Sequence, residues 1–102
     1  MKKVLVFTGT YNESENILTF ITDVFKSSDQ VDLLIIDDNS PDGTSGIINS
    51  HEKINKELFL IKREKKLGLD TAHKLAYKYA KEKGYEKLIT LDADLSHDPG
   101  KI

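Results

Sequence analysis

Apolar residues along this chain fall into short unbroken runs that alternate with stretches of helical period. Lys3 to Thr8, with Val4-Leu5-Val6-Phe7 inside it, predicts a buried strand. Gly9-Thr10-Tyr11-Asn12-Glu13 reads as a loop, and Asn12 followed by Glu15 has the form of a capping box at a helix start. That helix places Ile17, Phe20, Ile21 and Val24 on one apolar face and ends at Ser27 to Gln30. Val31 to Asp37 predicts a second strand. Its centre, Leu33-Leu34-Ile35-Ile36, does not alternate, as expected of a strand covered on both faces in a parallel sheet. Asp37 to Thr44 is a turn by its Pro, Asp and Gly content.

A weaker helix follows from about Ser45 to Lys56, carrying Ile47, Ile48 and Ile54, and Leu58 to Lys62 predicts a third strand. Arg63 to Gly68 is a basic loop. Thr71 opens a third helix with Ala72, Leu75, Ala76, Tyr79 and Ala80 on its apolar face, and Gly84 stands where a C-terminal cap belongs. Leu88-Ile89-Thr90-Leu91 is the fourth strand. Strand and helix alternate three times before this last strand. Short connections then predict an α/β fold with a mostly parallel, Rossmann-like sheet, right-handed crossovers and helices on both faces.

At 102 residues the chain is one small domain, residues 1–102. A formal charge of −2 argues against nucleic acid as a partner and against a general membrane-surface role. The absence of cysteine excludes disulfides, thiol catalysis and Cys-ligated zinc. No apolar run is long enough to span a membrane, and Met1 to Phe7 is too short for a signal peptide, so a cytoplasmic location is expected.

A parallel sheet gathers all its strand C-termini on one edge. Residues 8–13, 37–43, 63–70 and 92–98 therefore converge, bringing Tyr11, Glu13, Asp37, Asp38, Asp92 and Asp94 together. Asp92-Ala93-Asp94 directly follows a buried strand, where two carboxylates can share a crevice. A hard cation such as Mg²⁺ takes one or two carboxylates plus the phosphates of a ligand, and it relieves the repulsion of a carboxylate cluster. Spacing alone is a weak signal for metal binding. Asp37-Asp38 has equal standing as turn and cap chemistry. Tyr11 can simply cover the sheet edge, and Glu13 can serve a helix N-terminus. Lys62 to Lys66 is either a solvated face or an attractor for a diphosphate. His97 beside Asp98 is either a ligand or general acid/base or, on its plainer reading, a solvent-facing loop residue. His51 and His73 carry no signal, and Tyr77 and Tyr79 read as helix packing.

Four motifs in order, Gly9 to Glu13, Asp37 to Thr44, Arg63 to Leu69 and Asp92 to Pro99, resemble the family 2 inverting glycosyltransferases of the A-type fold. The dolichol-phosphate (polyprenol-phosphate) mannosyltransferase branch is the most similar. The resemblance implies the nucleotide-binding half of that fold. It implies that Tyr11 and Glu13 hold the nucleoside, with Gly9 in the same loop, and that Ile36 and Asp38 contact the base. Asp92, Ala93 and Asp94 match the DxD motif, Asp92 near nucleotide and metal, Asp94 as metal ligand, with Ser96 assisting at the metal.

The implied activity is metal-assisted inverting transfer of a sugar from a GDP- or UDP-sugar to a polyprenyl phosphate or saccharide, with Mg²⁺ or Mn²⁺ as cofactor. Two positions depart from the pattern: Gly9 replaces a usual proline, and Asp70 a usual glycine. The family's general base and acceptor site lie beyond its metal motif. We therefore expect a C-terminally truncated chain with no catalytic base of its own, little turnover, low stability and self-association through an uncovered sheet edge. In a longer form the protein would work at the cytoplasmic face of a membrane. A non-catalytic nucleotide- or metal-binding module is the alternative. A phosphoryl-transfer domain of haloacid-dehalogenase or receiver type is disfavoured, because Phe7-Thr8-Gly9 provides no aspartate at the end of the first strand.

Overall fold

The computed structural model describes residues 3–11, 14–27, 30–64 and 69–91. The elements run β1 (Val4–Thr10), α1 (Ile17–Ser27), β2 (Val31–Asp37), α2 (Thr44–Asn49), β3 (Leu58–Lys62), α3 (Leu69–Lys83) and β4 (Lys87–Thr90). The four strands form one sheet in the order β3-β2-β1-β4, and every pairing is parallel. From β1 the chain steps outward to β2 and β3, then returns across the sheet to place β4 on the other side of β1. Crossovers of one hand that reverse direction must change faces. Accordingly α1 and α2 cover one face and α3 the other.

The two faces have separate cores. Val6, Val31, Leu33, Ile35 and Leu58 meet Ile17, Phe20, Ile21, Val24 and Ile48 of α1 and α2. Leu5, Phe7, Leu34 and Ile36 meet Ala72, Ala76 and Ala80 of α3. All seven residues of β2 are buried, which is why its run does not alternate. The alanine stripe lets α3 lie close to the sheet, while larger side chains fill the α1 face. Each fully buried aliphatic or Phe side chain contributes about 1.5–3 kcal/mol by leaving water.

Several boundaries differ from the sequence expectation. β1 runs two residues further, to Thr10, because Thr10 still pairs with Asp37. α1 starts at Ile17, with Asn16 C=O accepting the first helical bond from Phe20 N–H at 2.9 Å. The Ser14 amide is drawn instead to Asp42 Oδ2 at 3.0 Å, which holds residues 14–16 in a turn ahead of the helix. Asn12, the expected cap, lies outside the described residues.

α2 stops at Asn49 instead of reaching Lys56. Gly46, Ile47, Ile48, Asn49 and Ser50 are weak helix formers, and Asn55 adopts φ 62, which a helix cannot contain. Ile54 makes an isolated bridge to Leu58 instead. α3 begins at Leu69, two residues before Thr71, so Asp70 is inside its first turn. It closes as expected: Gly84 has φ 82, and Tyr85 N–H and Gly84 N–H reach back to the carbonyls of Ala80 and Lys81. Tyr79 packs beside Phe59 as expected, whereas Tyr77 points outward and is 69% exposed. Tyr77 is off the 72–76–80 stripe, so the helix turns it away from the sheet.

Candidate functional site

The direction of chain crossing reverses between β1 and β4, which makes the C-terminal end of that pair the switch point where open α/β sheets bind ligands. Pairing register decides what gathers there. Gly9 is opposite Ile36, and Thr10 is opposite Asp37. Alternation puts Gly9 and Ile36 on the α3 side, with Tyr11 and Asp38 the next positions of the same parity. The Asp38 amide donates to Thr10 C=O at 3.1 Å, continuing the ladder one residue past the strand. The sheet thus brings Gly9, Ile36 and Asp38 together, and Tyr11 follows directly past the end of β1. On the other side of β1, Leu91 N–H donates to Phe7 C=O at 3.0 Å, continuing the β1–β4 pairing one residue past β4. Glu13, Asp92, Ala93, Asp94 and Ser96 lie outside the described residues, as does His97. Among the described residues no three acidic, His or Cys side chains are grouped to hold a metal.

Asp37, which ends β2, and Asp38, which follows it, have different work. Asp37 is fully buried. Its Oδ1 accepts from the hydroxyls of Thr10 at 2.7 Å and Ser40 at 2.6 Å, and its Oδ2 accepts from the Ser40 amide at 3.0 Å. This is turn chemistry: three donors satisfy a buried carboxylate and fix the corner leaving the sheet. Asn39, next in the corner, adopts φ 58 and donates its side-chain amide to Glu64 C=O at 2.9 Å.

Asp38 takes a forked ion pair from Arg63. Nε reaches Oδ1 at 2.5 Å and Nη2 reaches Oδ2 at 2.8 Å, with both side chains about nine-tenths buried. Arg63 Nη1 also donates to Thr71 Oγ1 at 2.8 Å, and its backbone N–H donates to Asp37 C=O at 2.8 Å. The ends of β2 and β3 and the first turn of α3 are therefore tied at one guanidinium. This bears on the basic run: Arg63 is turned toward Asp38, while Lys62 is exposed.

Further along the turn, Gly43 has φ 86, a left-handed conformation that a glycine adopts without strain. Asp42 accepts from Thr44 Oγ1 at 2.5 Å, Thr44 N–H at 3.1 Å and Ser14 N–H at 3.0 Å, joining the start of α2 to the turn before α1. These donors, the Thr44 hydroxyl foremost, hold its carboxyl down to a pKa of about 2. Thr8, one register step below Gly9 on the α1 side, buries a hydroxyl that meets no partner among the described residues. His73 lays its ring edge-on to Phe7 at 5.4 Å between centroids, and His51 Nδ1 accepts from Lys53 N–H. A groove of about 290 Å³ between Tyr77, Lys81, Tyr85, Glu86 and Lys87 lies at the opposite, N-terminal end of the strands.

Sequence reasoning missed the role of Arg63 and the orphan hydroxyl of Thr8. A cue for the first existed: Arg63 directly follows a strand that ends on the same edge as Asp38.

The chain matches Glycosyl transferase family 2 over residues 5–102. It is 32% identical over 102 residues to the polyprenol monophosphomannose synthase of Mycolicibacterium smegmatis, covering 99% of this chain and 38% of that protein. It is 31% identical over 100 residues to the undecaprenyl-phosphate mannosyltransferase of Micrococcus luteus, covering 98% of this chain and 41% of the relative. The chain thus spans about two fifths of the length of the curated relatives it matches. In three dimensions it is similar to a mannosyltransferase from Pyrobaculum calidifontis solved with GDP-Man and Mn²⁺. The TM-score is 0.73 at 22% identity, over 90% of this chain and 27% of that one. A match over nearly the whole sequence shows that this chain belongs to glycosyl transferase family 2.

Proposed function

We propose that this chain is the donor-binding part of a mannosyltransferase-like glycosyltransferase, which takes a nucleoside-diphosphate sugar at the β1–β4 switch point and transfers the sugar to a polyprenyl phosphate. The observation that supports the reading is the register: Gly9 stands opposite Ile36, and the Asp38 amide donates to Thr10 C=O at the edge where β1 and β2 end. Glu13 would join Tyr11 on the nucleoside, Asp38 and Ile36 would meet the base, and Ala93 would lie against the nucleotide. Asp92, Asp94 and Ser96 are an all-oxygen set, suited to Mg²⁺ or Mn²⁺ beside a diphosphate. When bound, the cation supplies Lewis-acid stabilisation of the charge that builds on the departing diphosphate.

In the transfer, an acceptor phosphate oxygen forms a bond to the anomeric carbon from the side opposite the diphosphate. The bond to the leaving nucleoside diphosphate breaks with its electron pair, and configuration inverts. The chain's own residues orient the donor for this displacement by fixing base, nucleoside and diphosphate separately. A polyprenyl phosphate acceptor would set the work at the cytoplasmic face of a membrane. Among the described residues no helix is long and apolar enough to cross one.

The second reading is donor binding without turnover. Titration of GDP, UDP and inorganic phosphate with Mn²⁺ and with chelator tests the first step. Metal-dependent binding of a nucleoside diphosphate is expected, and equal binding in chelator would overturn the metal assignment. Transfer of mannose from GDP-mannose to a polyprenyl phosphate then separates enzyme from binding module.

A further inference from the structure

We infer that Arg63 is a positioning residue for base recognition, acting through Asp38; this rests on the donor-site reading above. Asp38 directly follows β2, two positions past Ile36, and its amide donates to Thr10 C=O at the edge where Gly9 stands opposite Ile36. A lone carboxylate at a strand end turns freely and hydrates both oxygens. Here the guanidinium grips Oδ1 and Oδ2 together, at 2.5 and 2.8 Å, and fixes the plane of the group.

The grip is itself braced. Nη1 is held by Thr71 in the first turn of α3, and the Arg63 amide is held by Asp37 C=O. Each carboxylate oxygen has a second lone pair, so a forked pair with arginine leaves acceptor capacity for a ligand. A carboxylate in one orientation accepts from ring and exocyclic N–H groups of a base and offers nothing to a base acceptor. Selectivity among bases then depends on the lock, because an unfixed carboxylate adjusts to any of them. The family match does not by itself assign this task to Arg63, whose basic loop would otherwise be read as attracting phosphate.

The test is calorimetry on the 102-residue chain with Mn²⁺ and three probes: GDP, UDP and inorganic pyrophosphate. Arg63→Met is expected to weaken the preferred nucleoside diphosphate on the order of tenfold and to narrow the GDP-to-UDP ratio. It should leave pyrophosphate within about twofold and add nothing in an Asp38→Asn background. Arg63→Lys keeps the charge without the fork, so it is expected to lose base selectivity while melting closer to the unaltered chain. It also carries the comparison if Arg63→Met fails to fold.

Equal loss for all three probes, or additive effects of the Arg63 and Asp38 changes, would overturn the inference in favour of a purely structural pair. An unaltered chain that binds none of the probes overturns the donor-site reading and this inference with it. One that binds all three without preference between bases overturns the inference and leaves a diphosphate site standing.

Discussion

Thr8 is the residue at which local chemistry and surroundings disagree. Its hydroxyl is 1% exposed, and no described group accepts from it or donates to it. Burying a hydroxyl without a partner costs more than the apolar isostere of the same shape. Thr8→Val is therefore expected to raise unfolding free energy by about 1 kcal/mol, read as a higher denaturant midpoint at unchanged slope. A fall in stability would mean that the hydroxyl has a partner near the switch point. Asp42 makes the opposite case, an exposed carboxylate with several donors. Its folded pKa of about 2 lies below the ordinary 3.8. The stabilisation is thus present above the unfolded value and is lost as pH falls from about 4 through 2. Denaturant melts at pH 5, 3 and 2 should show an acid-side loss that is smaller in Asp42→Ala, which has already given up the link between α1 and α2 at neutral pH.

Among the elements, β2 was readable in full, and α3 in all but its first turn. Both carry their own reason for existing in an uninterrupted pattern: seven buried residues in one, an alanine stripe in the other. α2 was not readable to its end, since Ile54 fits the helical template and only the bridge to Leu58 takes it elsewhere. The start of α1 was misplaced for the same kind of reason. The Ser14 amide is claimed by Asp42, 28 positions away, and no local pattern records a contact of that range. The candidate site divides along this line. Strand and helix alternation brings Tyr11 and Asp38 to one edge from sequence alone, but the register that pairs Gly9 with Ile36, and the partition of Asp37 to the turn and Asp38 to Arg63, are tertiary. The element-scale prediction concerns the junction of α3 and β4. Tyr85 donates its hydroxyl to the buried Asp32 Oδ2 at 2.6 Å. Burial, followed by that bond to Asp32, holds the phenol well above its ordinary pKa of 10. The neutral phenol is the form the fold binds, so this stability is complete below pH 10 and is lost as pH rises beyond it. Tyr85→Phe should cost about 1–3 kcal/mol at pH 7, by removing a hydrogen bond to a buried carboxylate, and should flatten the decline measured between pH 9 and 11.

On the scale of the whole molecule, a donor bound at the proposed edge would act back on the sheet. Residues that would hold the base end β1 and β2, whereas those that would hold metal and diphosphate follow β4. A nucleoside diphosphate with its cation would therefore bridge β4 to the β1–β2 pair, across the place where the chain reverses direction. β4 is short and has β1 as its single strand neighbour among the described residues, so it has the most to gain. Binding to the folded state alone stabilises by about 2.7 kcal/mol at one hundred times the dissociation constant. For a domain of this size that is a rise in Tm on the order of 10 °C. GDP with Mn²⁺ is expected to produce such a rise, with GDP in chelator and Mn²⁺ alone each giving a small fraction of it. Asp92→Asn with Asp94→Asn should remove the joint effect of nucleotide and metal on the melt. Amide exchange should report the same coupling in space, with protection increasing at residues 87–91 more than in β3. Protection that rises equally in every strand would mean that the ligand stabilises the molecule without bridging the switch point.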